Sequence, residues 1–174
     1  VFDGADRSSA NARIEFRPIA AQPTVRDSMS FMATFAGLME SLPRHEHPAI
    51  GQDWNIARKN FYAAAREGFA SEQRWITNSG EETTDVETIY EDLFSHAIEG
   101  LRNAGCTEAD AESYVAPLRA RVESGITPAN WKRDRVRERV DSGDPLGKAI
   151  PAMQRSYVDN QTETLLDGVF TEWW

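Results

Sequence analysis

The chain has 174 residues, with 28 Asp and Glu against 19 Lys and Arg, so its formal net charge is -9. This length suits a single domain with an apolar core of its own, and the acidic balance disfavours nucleic acid as a partner. The single cysteine excludes a disulfide framework, and no apolar run approaches the roughly 20 residues that cross a membrane, so we expect a cytoplasmic protein without a membrane partner.

The first predicted element is a short strand. Residues 1–12 are polar and contain Gly, Ser and Asn, which is typical of an irregular lead-in. In residues 13–19 the apolar Ile14 and Phe16 alternate with charged side chains. Alternation with a period of two predicts a strand with its apolar residues on one face. The opposite face then carries the charged residues Arg13, Glu15 and Arg17.

Helices are predicted over residues 24–168. Apolar residues recur there at intervals of three and four, which is the spacing of a helix face that packs on a core. Capping residues and helix breakers divide this region into six helices. Their predicted starts are Thr24, Asp53 or Asn55, Thr84 or Asp85, Thr107, Thr127 and Asp144.

Glu15 and Arg17 are the candidate functional residues, because they project side by side from one face of the predicted strand. A carboxylate can hold a divalent cation, and a guanidinium can bind a phosphate oxygen through paired hydrogen bonds. Phosphoryl transfer uses this combination because the metal and the arginine share the charge on the transferring group. The alternative is a solvated face on which both side chains form ion pairs.

The string RIEFRP at residues 13–18, then QPT at residues 22–24 and a helix rich in Met, Ala, Phe and Leu, resembles the glutamine synthetase and glutamate–cysteine ligase superfamily. It is most similar to the second family of glutamate–cysteine ligases, the carboxylate–amine ligases, where a strand reading R-[IL]-E-[VFY]-R precedes a proline-containing loop and a long apolar helix. Residues 60–69 (NFYAAAREGF) are similar to the family's N-x-x-x-A-x-R-x-G segment. The resemblance implies an α+β fold, of which this chain forms a mostly α-helical part with one short N-terminal strand.

The resemblance also implies roles for three residues. Glu15 would be a Mg²⁺ ligand, Arg17 would contact the terminal phosphate of ATP during catalysis, and Arg66 would contact substrate or phosphate. The implied reaction is the ATP- and Mg²⁺-dependent ligation of glutamate to an amine through an acyl phosphate. Cysteine is the expected amine, which would give γ-glutamylcysteine for glutathione biosynthesis.

One carboxylate and one arginine do not complete such a site, because Mg²⁺ needs a near-octahedral shell of oxygen ligands. The chain starts at Val1, without an initiator Met or a signal-peptide pattern. We therefore expect residues 1–174 to be the C-terminal part of a ligase catalytic domain, inactive until the N-terminal part of the same enzyme supplies the other ligands. Two alternatives are a ligase with another amine acceptor and a non-catalytic helical interaction or regulatory module. In the module, Glu15 and Arg17 would pair with each other or with neighbours.

Four further features have a structural interpretation beside a functional one. His45 and His47 lie in a proline-flanked loop, and a polar surface loop is favoured over a metal site because no third ligand follows nearby. His96 is expected to be a hydrogen-bonded core or boundary residue. The charged run at residues 132–141 predicts a solvated helix face rather than a phosphate site. The apolar end at residues 170–174 favours a contact with another copy or with the N-terminal part of the enzyme.

Overall fold

The computed structural model of the chain describes residues 2–3, 11–12 and 14–174, and its architecture is mostly helical. Two small antiparallel strand pairs accompany the helices. The first joins β1 (Phe2–Asp3) to β2 (Asn11–Ala12), and the second joins β3 (Trp75–Ile76) to β4 (Glu82–Thr83). The α-helices are α1 (Val25–Ser41), α2 (Trp54–Glu67), α3 (Val86–Asn103), α4 (Glu108–Ser124), α5 (Pro128–Asp141) and α6 (Leu146–Thr164). This composition confirms the expected α+β class with a mostly helical chain.

The strand predicted at residues 13–19 is wrong in its described part. Arg13 lies outside the described residues, and the positions after it carry no regular element. A strand needs a second strand to pair its backbone groups, whereas this segment is held by a side chain. The ring of Phe16 stacks on Phe35 of α1, with centroids 4.4 Å apart and planes 9° apart. The N-terminal strand pair instead falls within residues 1–12, which were predicted to be irregular.

Side-chain caps determine where most of the helices begin. At each of the first five starts, a Thr or Asp side chain accepts a hydrogen bond from a backbone N–H of the first turn. These caps confirm the predicted helix starts, because each bond joins residues that are only two or three positions apart. The capping residues are Thr24, Asp53, Asp85, Thr107 and Thr127.

The main core lies among α1, α3 and α4, and it depends on a close contact between two glycines. A Cβ atom added at Gly37 of α1 would overlap the carbonyl oxygen of Ala97, and one added at Gly100 of α3 would overlap the carbonyl oxygen of Gly37. The two backbones therefore touch directly, which only glycine permits here. The apolar cluster beside this contact comprises Phe94, Ala97, Ile98, Leu101, Ala111 and Val115.

A second core joins α5, α6 and a single 3₁₀ turn at Phe170–Trp173. Its aromatic rings meet edge to face, with 5.6 Å between the centroids of Trp131 and Trp173. Trp173 is only 6% exposed and packs on the chain's own core. The sequence had instead favoured a contact of this end with another copy or with the N-terminal part of the enzyme.

None of the helices in the described part of the chain combines the length and apolar character that crossing a bilayer requires.

A buried ion pair joins the start of α1 to α4. Arg121 Nη2 lies 2.8 Å from Asp27 Oδ1, and both side chains are almost completely buried. Asp27 Oδ2 also accepts the backbone N–H of Phe170 at 3.0 Å. Arg121 Nη1 donates to Gln22 Oε1 at 2.7 Å, just before α1. Burial lowers the pKa of Arg121, and the charge of Asp27 opposes that shift.

The glycine contact predicts a large difference between two Gly→Ala substitutions. Gly37→Ala should lower the free energy of unfolding by about 2–3 kcal/mol, because α1 and α3 must separate to admit the methyl group. Gly147→Ala, on an open face of α6 with nothing near the added Cβ, should instead raise it by about 0.5–1 kcal/mol. Denaturant unfolding of both variants measures the difference, and equal effects would contradict the direct contact of the two backbones.

Candidate functional site

Glu15 and Arg17 form a bidentate ion pair with each other. Arg17 Nε lies 2.9 Å from Glu15 Oε1, and Arg17 Nη2 donates to Glu15 Oε2 at 2.9 Å. The side chains are 43% exposed for Glu15 and 80% exposed for Arg17. An exposed pair of this kind contributes little to stability because water screens it. Both charged groups are therefore accessible to other ions.

The segment that carries this pair is anchored on both sides. Phe16 stacks on α1, as described above, and Gln22 accepts the hydrogen bond from Arg121. Pro23 carbonyl oxygen accepts a hydrogen bond of 2.9 Å from Gln161 Nε2 of α6. These contacts hold residues 14–23 against the helices although the segment has no sheet partner in the described part of the chain.

Arg66 lies on α2, in a cavity of about 580 Å³ that Glu15 and Arg17 do not line. Two more cationic residues, Arg58 and Lys59, line the same cavity. Tyr62 and Arg66 follow Arg58 at intervals of four, so the three side chains share one helix face. Three cations around one cavity can bind an anion such as a phosphate or a carboxylate. The remaining lining residues are Asn55, Tyr62, Ala63 and Glu72.

All three histidines of the chain lie close together, in a group that we call the histidine constellation. The sequence did not predict it. His47 caps the 3₁₀ turn at Pro48–Gly51, where its Nδ1 accepts the N–H of Ala49 at 3.1 Å. The ring proton must therefore lie on Nε2, which is 3.0 Å from Asp92 Oδ2 and donates to it. The side chain of His47 is fully buried, so the prediction of a polar surface loop is wrong at this residue.

Asp92 of α3 is the acceptor that holds this region together. Besides His47, it accepts Trp75 Nε1–H at 2.7 Å and the backbone N–H of Asn78 at 3.0 Å. Burial by itself raises the pKa of Asp92, but the hydrogen bonds from Asn78, Trp75 and His47 outweigh it and keep the pKa below its ordinary value. One ionised carboxylate thus fastens the β3–β4 hairpin and the histidine loop to α3.

His96 lies one helical turn after Asp92, with its Nδ1 3.0 Å from Ser41 Oγ. Ser41 Oγ also lies 3.4 Å from Glu99 Oε2, so the hydroxyl can accept the Nδ1 proton of His96 and donate its own proton to Glu99. His45 Nε2 lies 2.9 Å from the other oxygen of Glu99. Burial lowers the pKa of His96 and favours a neutral ring. The prediction of a buried, hydrogen-bonded His96 is confirmed.

Ligand atoms of His47, Asp92 and His96 all lie within 4.8 Å of one another. Asp92 and His96 are four residues apart on α3, a spacing that the sequence displayed. That spacing does not show that Asp92 and His96 lie close to a loop more than 40 positions earlier.

The charged run at residues 132–141 forms exposed pairs such as Arg135 with Glu138, which confirms a solvated face.

Comparison with models of protein families matches residues 1–163 to the family described as glutamate-cysteine ligase family 2 (GCS2). The matched stretch includes the Glu15–Arg17 pair, the cavity around Arg66 and the histidine constellation. No curated protein and no solved structure matches the chain.

The three hydrogen bonds at Asp92 predict a marked loss of stability when its carboxylate is removed. Asp92→Ala should lower the free energy of unfolding by about 2–4 kcal/mol, because the donors of His47, Trp75 and Asn78 lose their acceptor. Its neighbour Glu91 has a side chain that is 65% exposed, so Glu91→Ala should change stability by no more than about 0.5 kcal/mol. Denaturant unfolding compares the two variants, and similar small losses would show that Asp92 does not fasten the hairpin and loop.

Proposed function

The chain belongs to glutamate–cysteine ligase family 2, and from this membership we propose that it is the C-terminal part of an enzyme that ligates glutamate to an amine. The family match over residues 1–163 is the observation that carries the proposal. The proposed reaction consumes ATP with Mg²⁺, and the proposed amine is cysteine. An amine other than cysteine is the nearest alternative.

We assign Glu15 as one ligand of Mg²⁺ and Arg17 as a contact of the terminal phosphate of ATP. Carboxylate oxygens suit Mg²⁺, and a guanidinium fork suits phosphate. In the structure the charges of the two side chains neutralise each other. A cation bound at Glu15 would replace Arg17 as its charged partner, and an anion bound at Arg17 would replace Glu15. Glu15 supplies only part of an octahedral shell, and the remaining ligands would come from the N-terminal part of the enzyme.

Arg66 supports the same proposal from a second location. With Arg58 and Lys59 it forms a cationic cavity on a chain whose net charge is -9, and that cavity suits the carboxylate or phosphate groups of the substrates. Bound ATP would supply the phosphoryl group that converts the poorly electrophilic γ-carboxylate of glutamate into an acyl phosphate. The arginines would hold and orient the anionic groups, which is how proteins accelerate phosphoryl transfer.

Exposed apolar side chains on α1 and in the segment that carries Glu15 and Arg17 support the N-terminal part of the enzyme as a partner. Met29 and Met32 lie on one face of α1, and Met32 is 62% exposed. Ile14 and Phe16 are also exposed and alternate with Glu15 and Arg17 along the chain. We propose that these exposed apolar side chains pack against the part of the enzyme that supplies the other ligands, because packing would remove their apolar surface from water. A homo-oligomer remains a further proposal.

A non-catalytic helical module is the second candidate function. The observation that favours it is the Glu15–Arg17 ion pair, because each residue already has the other as its charged partner. In such a module both side chains would contribute only surface charge. The two candidates differ in the effect of neutralising Glu15.

Glu15→Gln in the enzyme that contains this chain and its N-terminal part should lower Mg²⁺-dependent ATP consumption on the order of 100-fold or more, because a charged metal ligand is lost. Glu40→Gln is the matched control, since Glu40 is a glutamate of α1 that pairs with Arg44 at the surface, and it should leave the rate unchanged. Phosphate release with glutamate and cysteine present measures both. A rate within twofold of the unmodified enzyme for Glu15→Gln would favour the non-catalytic module.

Arg66→Met in the same enzyme should raise the KM for ATP or for glutamate by about tenfold, because one charge-assisted contact is lost. Arg155→Met, at an exposed position of α6, serves as the control and should leave both constants unchanged. Steady-state kinetics with each substrate varied in turn identifies which anion Arg66 contacts. Unchanged kcat and KM for both substrates would remove Arg66 from the site.

A further inference from the structure

We propose that His47, Asp92 and His96 form a binding site for a divalent transition-metal ion of the Zn²⁺ type, separate from the Mg²⁺ site proposed at Glu15. All three histidines of the chain gather at this place, two from one loop and one from α3. Imidazole and carboxylate are common Zn²⁺ ligands, whereas Mg²⁺ takes oxygen ligands almost exclusively. The proposal does not depend on the ligase function.

The distances between the three ligands suit one ion after a small adjustment. His47 Nε2 and Asp92 Oδ2 are 3.0 Å apart, and the ligand atoms of the trio all lie within 4.8 Å. Bonds of about 2.0–2.1 Å in a tetrahedron separate neighbouring ligand atoms by about 3.3 Å. The widest side of the trio would therefore close by at most about 1.5 Å, and a water molecule or substrate would complete the shell.

His96 already has the second contact that metal-binding histidines usually make. Its Nδ1 lies 3.0 Å from Ser41 Oγ, which also contacts Glu99 Oε2 at 3.4 Å, so a ring that donates from Nδ1 leaves the lone pair of Nε2 for a metal. Such outer hydrogen bonds orient a ligand ring and raise its basicity. Because Ser41 belongs to α1 and Glu99 to α3, the close contact of the two helices sets this arrangement.

Asp92 is likewise held in place by groups that are not ligands. The indole N–H of Trp75 and the backbone N–H of Asn78 fix both carboxylate oxygens. A carboxylate oxygen can accept a hydrogen bond and bind a metal with its remaining lone pair. The ligand is thus positioned before the ion arrives.

His47 must change its tautomer when the ion binds. Its proton now lies on Nε2 between the ring and Asp92, and coordination at Nε2 requires that proton on Nδ1. The ring stays neutral, so no net proton is released. Nδ1–H would then face the N–H of Ala49, so that hydrogen bond breaks and the turn at Pro48–Gly51 shifts. The metal bonds must outweigh this loss.

An acidic groove reaches two of the three ligands. The groove has a volume of about 880 Å³ and runs beside α3, where Asp92 and His96 line it. Negative side chains along such a groove concentrate cations near the site. The acidic residues that line it with them are Glu81, Asp85, Glu87, Glu91, Glu99 and Glu123.

Calorimetric titration of the metal-free 174-residue chain with Zn²⁺ at pH 7 tests the proposal. We expect one ion per chain with micromolar or tighter affinity, and an excess of Mg²⁺ should not compete. His47→Gln and His96→Gln should each weaken binding about 100-fold or more, because each removes one ligand. Ser41→Ala should weaken it about tenfold through loss of the outer hydrogen bond.

His45→Gln is the matched control, because His45 contacts Glu99 but is not one of the three ligands. It should keep the affinity within about threefold of the unmodified chain. NMR of the imidazole nitrogens in the unmodified chain gives a readout that does not depend on whether the variants fold. Zn²⁺ should shift the nitrogens of His47 and His96 and the amide of Ala49. Lack of Zn²⁺ binding, binding that survives both ligand variants, or shifts confined to His45 would overturn the proposal.

Discussion

Asp27 and Arg121 form an ion pair inside the protein, and removing either partner would strand the other charge away from water. Asp27 lies in the first turn of α1 and accepts the N–H of Phe170, while the guanidinium of Arg121 lies over the ring of that residue at 5.1 Å. Arg121 also holds Gln22. One pair of charges therefore fixes the start of α1, the C-terminal turn and the end of the segment that carries Glu15 and Arg17.

The direct contact of α1 with α3 has a consequence for the histidine constellation. Because Gly37 and Gly100 let the two backbones touch, Ser41 at the end of α1 lies within hydrogen-bonding distance of His96. One face of α3 then presents Asp92 and His96 to the loop that carries His47. A core contact made only of backbone thus determines the geometry of polar side chains at its edge.

The candidate sites differ in the chemistry of the ions they suit. The cavity around Arg66 is cationic and suits phosphate or carboxylate groups. Glu15 offers oxygen ligands for a hard cation, whereas the histidine constellation offers nitrogen ligands for a softer one. These groups lie on different elements, so the cavity that suits anions is separate from the groups that suit cations.

The sequence by itself determined the helix starts and the family. Caps such as Thr107 act over two or three residues, so they are readable from local order, and the motif at Glu15 and Arg17 is likewise contiguous. Only the tertiary structure decided the rest. The alternation of apolar and charged residues around Glu15 does not show whether a second strand lies beside that segment. The hydrogen bond between His47 and Asp92 joins residues 45 positions apart. Such contacts depend on how the helices pack, because chain folding brings together groups whose spacing carries no periodic signal.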